Sequence, residues 1–97
     1  MRHVVAVHLE GGEHLQHIAK LRWAESDGPN SPDKVGLTDS TREQMYTFVK
    51  NGGHAFAVST NDNTYAYLEA VEGQHVNYVK TLPDSTKSDN LLSLRRF

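Results

Sequence analysis

Apolar and polar positions alternate from the first residues onward. In His3 to Leu9 (HVVAVHL), Val5, Val7 and Leu9 share one face and β-branched residues dominate, which predicts a strand. Glu10-Gly11-Gly12-Glu13 punctuates it as a turn. A second strand is expected at about His17 to Ala24, with Ala19, Leu21 and Trp23 on one face, Lys20 and Arg22 on the other, and Ile18 as the exception. Strands this close in sequence pair as an antiparallel hairpin, so residues 1–24 form the first unit. Residues 25–39 (ESDGPNSPDKVGLTD) are dominated by Gly, Pro, Ser, Asn and Asp and are expected to be a loop, long enough to be a crossover or a binding loop.

The period then changes. Ser40-Thr41-Arg42-Glu43 has the form of a capping box, with Ser40 as the cap. Met45, Phe48 and Val49 follow at i, i+3 and i+4, and Asn51-Gly52-Gly53 supplies a stop, so a helix is expected over residues 40–51. Residues 54–82 return to strand patterning as a three-stranded meander. It comprises Ala55 to Thr60, a turn at Asn61-Asp62-Asn63, Thr64 to Val71, a turn at Glu72-Gly73-Gln74, and His75 to Leu82. In the middle strand Tyr65, Tyr67 and Glu69 alternate against Ala66, Leu68 and Ala70. Residues 83–97 form a C-terminal tail. The expected order is ββαβββ: an α+β single domain with about five antiparallel strands and one helix on a face. Strands in a chain this small could also curl into a partly open barrel.

Composition narrows the function classes. The chain has 97 residues, no cysteine and a formal net charge of −2, so disulfides and thiolate chemistry are excluded and a global positive field is absent. No apolar run reaches the ~18 residues of a membrane span, and no basic-then-apolar leader pattern opens the sequence. A soluble cytoplasmic domain with no membrane partner is expected. Leu, Ile, Val and Phe supply only 22 of the 97 residues, so the apolar margin is thin and the placement of each one matters.

That places weight on the tail. Leu91, Leu92, Leu94 and Phe97 put four apolar residues into the last seven. Either they fold back and close an open side of the sheet, or they enter a groove on a partner with Arg95 and Arg96 on the rim. The stretch Tyr78-Val79-Lys80-Thr81-Leu82-Pro83-Asp84, followed by Asp89-Asn90-Leu91, Leu94 and Phe97, resembles the C-terminal signature of a bacterial and phage family, domain of unknown function 3892. That signature runs Y-[IV]-[RK]-[ST]-x-P-D, a short polar loop, then [DN]-N-L-x-x-L-P-x-F. The specific similarity covers about the last 20 residues, and Arg95 stands where the family tends to have proline. The resemblance implies a small α+β domain, brings no assigned activity, and makes a phage-encoded modulator of a host protein a natural version of the function.

Candidate chemistry is sparse. Six histidines invite a metal, but His14 and His17 are the only closely spaced pair and no cysteine supports them, so scattered surface histidines are expected. Protonating all six would take the formal charge from −2 to about +4. The acidic residues fall mostly in turns, and no nucleophile elbow or glycine-rich phosphate loop occurs, so neither an enzyme nor a bound cofactor is expected. The favoured reading is a non-enzymatic protein-binding or regulatory module. Its expected contact site is an edge formed by the last strand and the tail: Tyr78, Lys80, Leu91, Leu92, Leu94, Arg95, Arg96 and Phe97. The same edge strand or tail could instead serve a homo-oligomer. The alternatives are a nucleic-acid face built on Lys20, Arg22, Tyr65 and Tyr67, and a metal or small-ligand site.

Overall fold

The N-terminal strand β1 (Arg2–Leu9) lies in the interior of the sheet. The computed structural model describes residues 1–60, 63–81 and 90–97. After a 3-10 turn at Leu15–His17 come β2 (Ile18–Glu25), β3 (Thr38–Thr41) and the helix α1 (Arg42–Lys50). β4 (Ala55–Val58), β5 (Tyr65–Glu72) and β6 (Asn77–Thr81) follow, then a 3-10 turn at Asn90–Ser93 and β7 (Arg95–Arg96). The strand order is β3-β2-β1-β4-β5-β6, with β7 beside β1.

The α+β class with one helix stands, while the strand number and pairing are corrected. Among the described residues seven strands replace about five, because β3 (TDST) and β7 (RR) are short and polar and carry no hydrophobic alternation. The sheet is mixed, not antiparallel throughout: β4 pairs with Arg2 to Val4 of β1 and β7 with Ala6 and Val7, both in parallel. Its outer strands do not pair with each other, so it does not close as a barrel. The hairpin β1–β2 and the meander β4–β5–β6 are antiparallel as expected.

Two phases also shift. Register irregularities between Val4 and Ala6 and between His8 and Leu9 rotate β1, so Val4 and Val7 are buried instead of the Val5, Val7, Leu9 set. In the facing strand Ile18, Leu21 and Ala24 are buried, with Ala19 and Trp23 only half so. The helix cap falls one residue later than the sequence suggests. Thr41 Oγ1 accepts from the Gln44 amide at 3.1 Å and Gln44 Oε1 accepts from the Thr41 amide at 2.9 Å. Ser40 belongs to β3, where its hydroxyl oxygen accepts from Trp23 Nε1 at 2.9 Å. Gly52, at φ 97°, ends the helix as expected.

The core joins Val4, Val7, Ile18 and Leu21 to Met45 of the helix, Ala55, Ala57, Leu68 and Val79 of the meander, and Leu91 and Leu94 of the tail. The folded area, 5804 Å², is close to the roughly 5,600 Å² expected of a monomer of this mass. The helix is fastened to the end of β5, where Tyr46 Oη and Lys50 Nζ both donate to Glu72. Among the described residues no helix is long and apolar enough to cross a membrane.

Candidate functional site

Residues 90–97 of the tail are largely absorbed by the fold, whereas residues 83–89 lie outside the described residues. Asn90 is 8% exposed and ties together β6, β4 and the residue before β5: its amide N–H donates to Thr81 Oγ1 at 3.0 Å, and its side-chain NH2 donates to the Ala57 and Thr64 carbonyls, each at 3.3 Å. That anchor drops Leu91 into the core at 0% exposure and leaves Leu94 buried and Leu92 half-buried against it. β7 then runs beside β1, and the Phe97 amide donates to the Val7 carbonyl at 3.1 Å. Asn90, Leu91 and Leu94 of the D-N-L-x-x-L signature are thus interior residues, the two leucines part of the core.

The expected edge is not contiguous. Tyr78 and Lys80 lie on β6 at one end of the strand order, while Arg95 to Phe97 lie beside β1, in line with β4 and two strands away from β6. Arg95 and Arg96 are exposed and Phe97 is half-buried, its ring under the Arg22 guanidinium at 4.1 Å and its main-chain oxygen hydrogen-bonded to His8 Nδ1. A shallow depression of about 400 Å³ beside it is lined by His8, Leu9, Glu13, Arg96 and Phe97.

Lys20, Arg22, Tyr65 and Tyr67 do share one surface, the sheet face opposite the helix, as the alternation in β2 and β5 requires. The row Ala24, His3, Phe56, Tyr67 crosses that face, with His3 stacked on Phe56 at 4.8 Å and Tyr67 edge-on to both Phe56 and Tyr65. Its charge is largely internally paired. Arg22 makes two bonds to Asp39, at 2.8 and 3.1 Å, and that hydrogen bond holds the Asp39 carboxyl below its usual range and the guanidinium above its own. His3 Nδ1 meets Asp33 at 2.8 Å and Lys80 lies 4.0 Å from Glu69.

On the helix side Arg2 is sandwiched between Trp23 at 4.3 Å and Phe48 at 3.6 Å, and burial lowers its guanidinium pKa against the opposing pull of Glu25. Among the described residues no group of three or more His, Cys, Asp or Glu is placed to hold a metal. The His14 and His17 rings stand 5.7 Å apart, His14 capping the 3-10 turn and His17 ending it.

One surface feature was missed by sequence reasoning. Val35 is fully exposed and Leu37 is 61% exposed, next to β3, an end strand of the sheet. The available signal was two aliphatic residues inside an otherwise Gly-, Pro- and Asp-rich stretch. The rest of that loop is ordered around them. Ser26 bridges Asp33, the Lys34 amide donates to the Glu25 carbonyl at 2.8 Å, and Asp33 is held by His3.

The family described as protein of unknown function DUF3892 matches residues 3–95. The chain belongs to that family. The match extends the DUF3892 similarity from the tail signature to nearly the whole chain. No curated protein and no solved structure matches it.

Proposed function

We propose that this DUF3892 domain is a small non-enzymatic module that works by binding another protein chain. The observation that carries the reading is the exposure of Val35 and Leu37 beside the outer edge of β3, which no strand among the described residues pairs. Single exposed apolar residues are ordinary, but two beside an open strand edge match what strand-adding partners use. The tail adds to this only at its surface. Arg95, Arg96 and the half-buried Leu92 and Phe97 remain available, whereas Leu91 and Leu94 are spent inside. Affinity capture from the native host with the wild type and a Val35→Asp/Leu37→Asp variant tests it. A protein retained by the wild type and lost by the variant supports the reading, and identical captures sink it.

A second reading, a nucleic-acid face, draws on the shared surface of Lys20, Arg22, Tyr65 and Tyr67. The Asp39, Asp33 and Glu69 partners that neutralise its neighbourhood weigh against it. A mobility shift at low salt that fades steeply as salt rises supports it, and no shift at low salt ends it.

A further inference from the structure

The side chain that ties loop residues 26–34 to the sheet is Asp33. His3 Nδ1 donates to its two carboxylate oxygens, at 2.8 and 2.9 Å. An ionised carboxylate only accepts, so the shared proton sits on Nδ1, and the charge of the ring turns on whether Nε2 also carries one. Stacking on Phe56, 7° from parallel, holds the imidazole in that orientation. The His3 side chain is 21% exposed and that of Asp33 35%, so water and protons reach both. The loop is closed on itself by the Ser26–Asp33 bridge, by the Lys34 amide donating to the Glu25 carbonyl at 2.8 Å, and by the Ser26 hydroxyl donating to the Gly28 carbonyl at 3.0 Å. What holds Asp33 therefore holds the loop.

We propose that the His3–Asp33 pair is a pH-sensitive latch on residues 26–34. With Nε2 protonated, a charged imidazole faces the carboxylate and the loop is held firmly. As pH rises through the histidine range the ring becomes neutral, the Nδ1 hydrogen bond stays, and the grip loosens. The neighbouring groups leave this pair in command. From β2 the residue opposite His3 is Ala24, and Glu25 beyond it meets the N-terminal ammonium at 3.4 Å. From β4 the facing residue is Phe56, with Tyr67 of β5 edge-on behind it and the exposed His54 ring against Tyr67 at 6.4 Å. Within the loop, Lys34 meets Asp27 at 3.5 Å. Val35 and Leu37 follow the latched residue by two and four positions. On the reading of those two as partner contacts, on which this consequence rests, mild acid presents them better ordered and lowers the cost of binding them.

Amide hydrogen exchange of the full chain, corrected for the intrinsic pH dependence of exchange, tests the latch. Protection of the Lys34 amide, relative to the amides of β6, is expected to fall about threefold between about pH 5.5 and about pH 8. His3→Gln keeps an N–H donor that never charges, and Asp33→Asn keeps an acceptor without charge, so both should give a level profile. His54→Gln should keep the wild-type trend. A level wild type, a trend that persists in His3→Gln or in Asp33→Asn, or one that disappears in His54→Gln overturns the proposal. If His3→Gln unsettles the fold by losing its stack on Phe56, Asp33→Asn decides, because its side chain lies at the surface. The capture experiment is read separately. A pH trend with identical captures by the wild type and Val35→Asp/Leu37→Asp leaves the latch standing and sinks the protein-binding reading. A level profile with a captured protein lost in that variant does the reverse.

Discussion

Asn90 donates its side-chain amide to the Ala57 carbonyl, 33 residues earlier in the chain, at 3.3 Å. A buried carbonyl that loses its donor keeps its desolvation cost without compensation. Asn90→Ala is therefore expected to lose about 1–3 kcal/mol of stability. Leu91→Ala, at a fully buried position, is expected to lose about 2–5 kcal/mol. Leu37→Ala, on the surface, should stay within about 0.5 kcal/mol. Urea unfolding followed by circular dichroism measures all three. Equal effects at 91 and 37 would show that the tail is not core.

The helix start gives a prediction that separates two neighbouring residues. Thr41→Ala removes the cap and should cost about 1 kcal/mol. Ser40→Ala leaves the half-buried Trp23 indole N–H without its acceptor, costs a similar amount, and shifts the Trp23 fluorescence, which Thr41→Ala does not. Glu43→Ala should leave both stability and fluorescence nearly unchanged, because Gln44, not Glu43, completes the box.

Acid should weaken the fastening of the helix to β5. The hydrogen bond from Lys50 and its positive charge, with a smaller contribution from Tyr46, hold the Glu72 carboxyl below its ordinary range. A carboxyl that binds its proton less readily when folded adds stability at neutral pH. That stability is lost as pH falls below the unfolded value, near ~4.3. The Lys50 ammonium is raised by the same pair, so the contribution also fades as pH rises through the lysine range. Both groups are at the surface, so the effect is small and shrinks with salt. Thermal midpoints against pH at low and high salt check it. Glu72→Gln should flatten the acid limb at low salt only.

Gly73 turns the chain between β5 and β6 where a Cβ would collide with the Val76 carbonyl oxygen and crowd the Tyr78 ring at 3.1 Å. Gly73→Ala is expected to cost about 1–3 kcal/mol through that forced shift. Gln74→Ala, its exposed neighbour, should be near neutral by the same unfolding assay.

The parts of the fold that could be read from sequence are those where one face of a strand meets water. In β5, Tyr65 and Glu69 are exposed while Leu68 is buried, so the alternation survives translation into structure. β1 hides its phase because it is flanked on both sides and irregular at two points, and a run such as VVAV fits either face. β3 and β7 have no apolar positions to betray them and exist only because β2 and β1 offer them ladders. The tail leucines were conspicuous, but their destination depended on the hydrogen bonds of Asn90, which no local pattern encodes. Val35 and Leu37 were obscured by the turn-forming residues around them.

The two parallel neighbours of β1 come from residues near 55 and near 95. One edge of β1 is paired by β2 close by in sequence, but the other is not complete until both of these distant segments have joined it. Distant pairings of this kind slow folding, because the chain must close long loops before contacts reward it. Val4 and Val7 share one core with Leu91 and Leu94, so that core is sealed only when the tail docks. The domain is thus expected to fold in one step only once its C-terminal segment is present, and a fragment lacking that segment to expose an apolar strand.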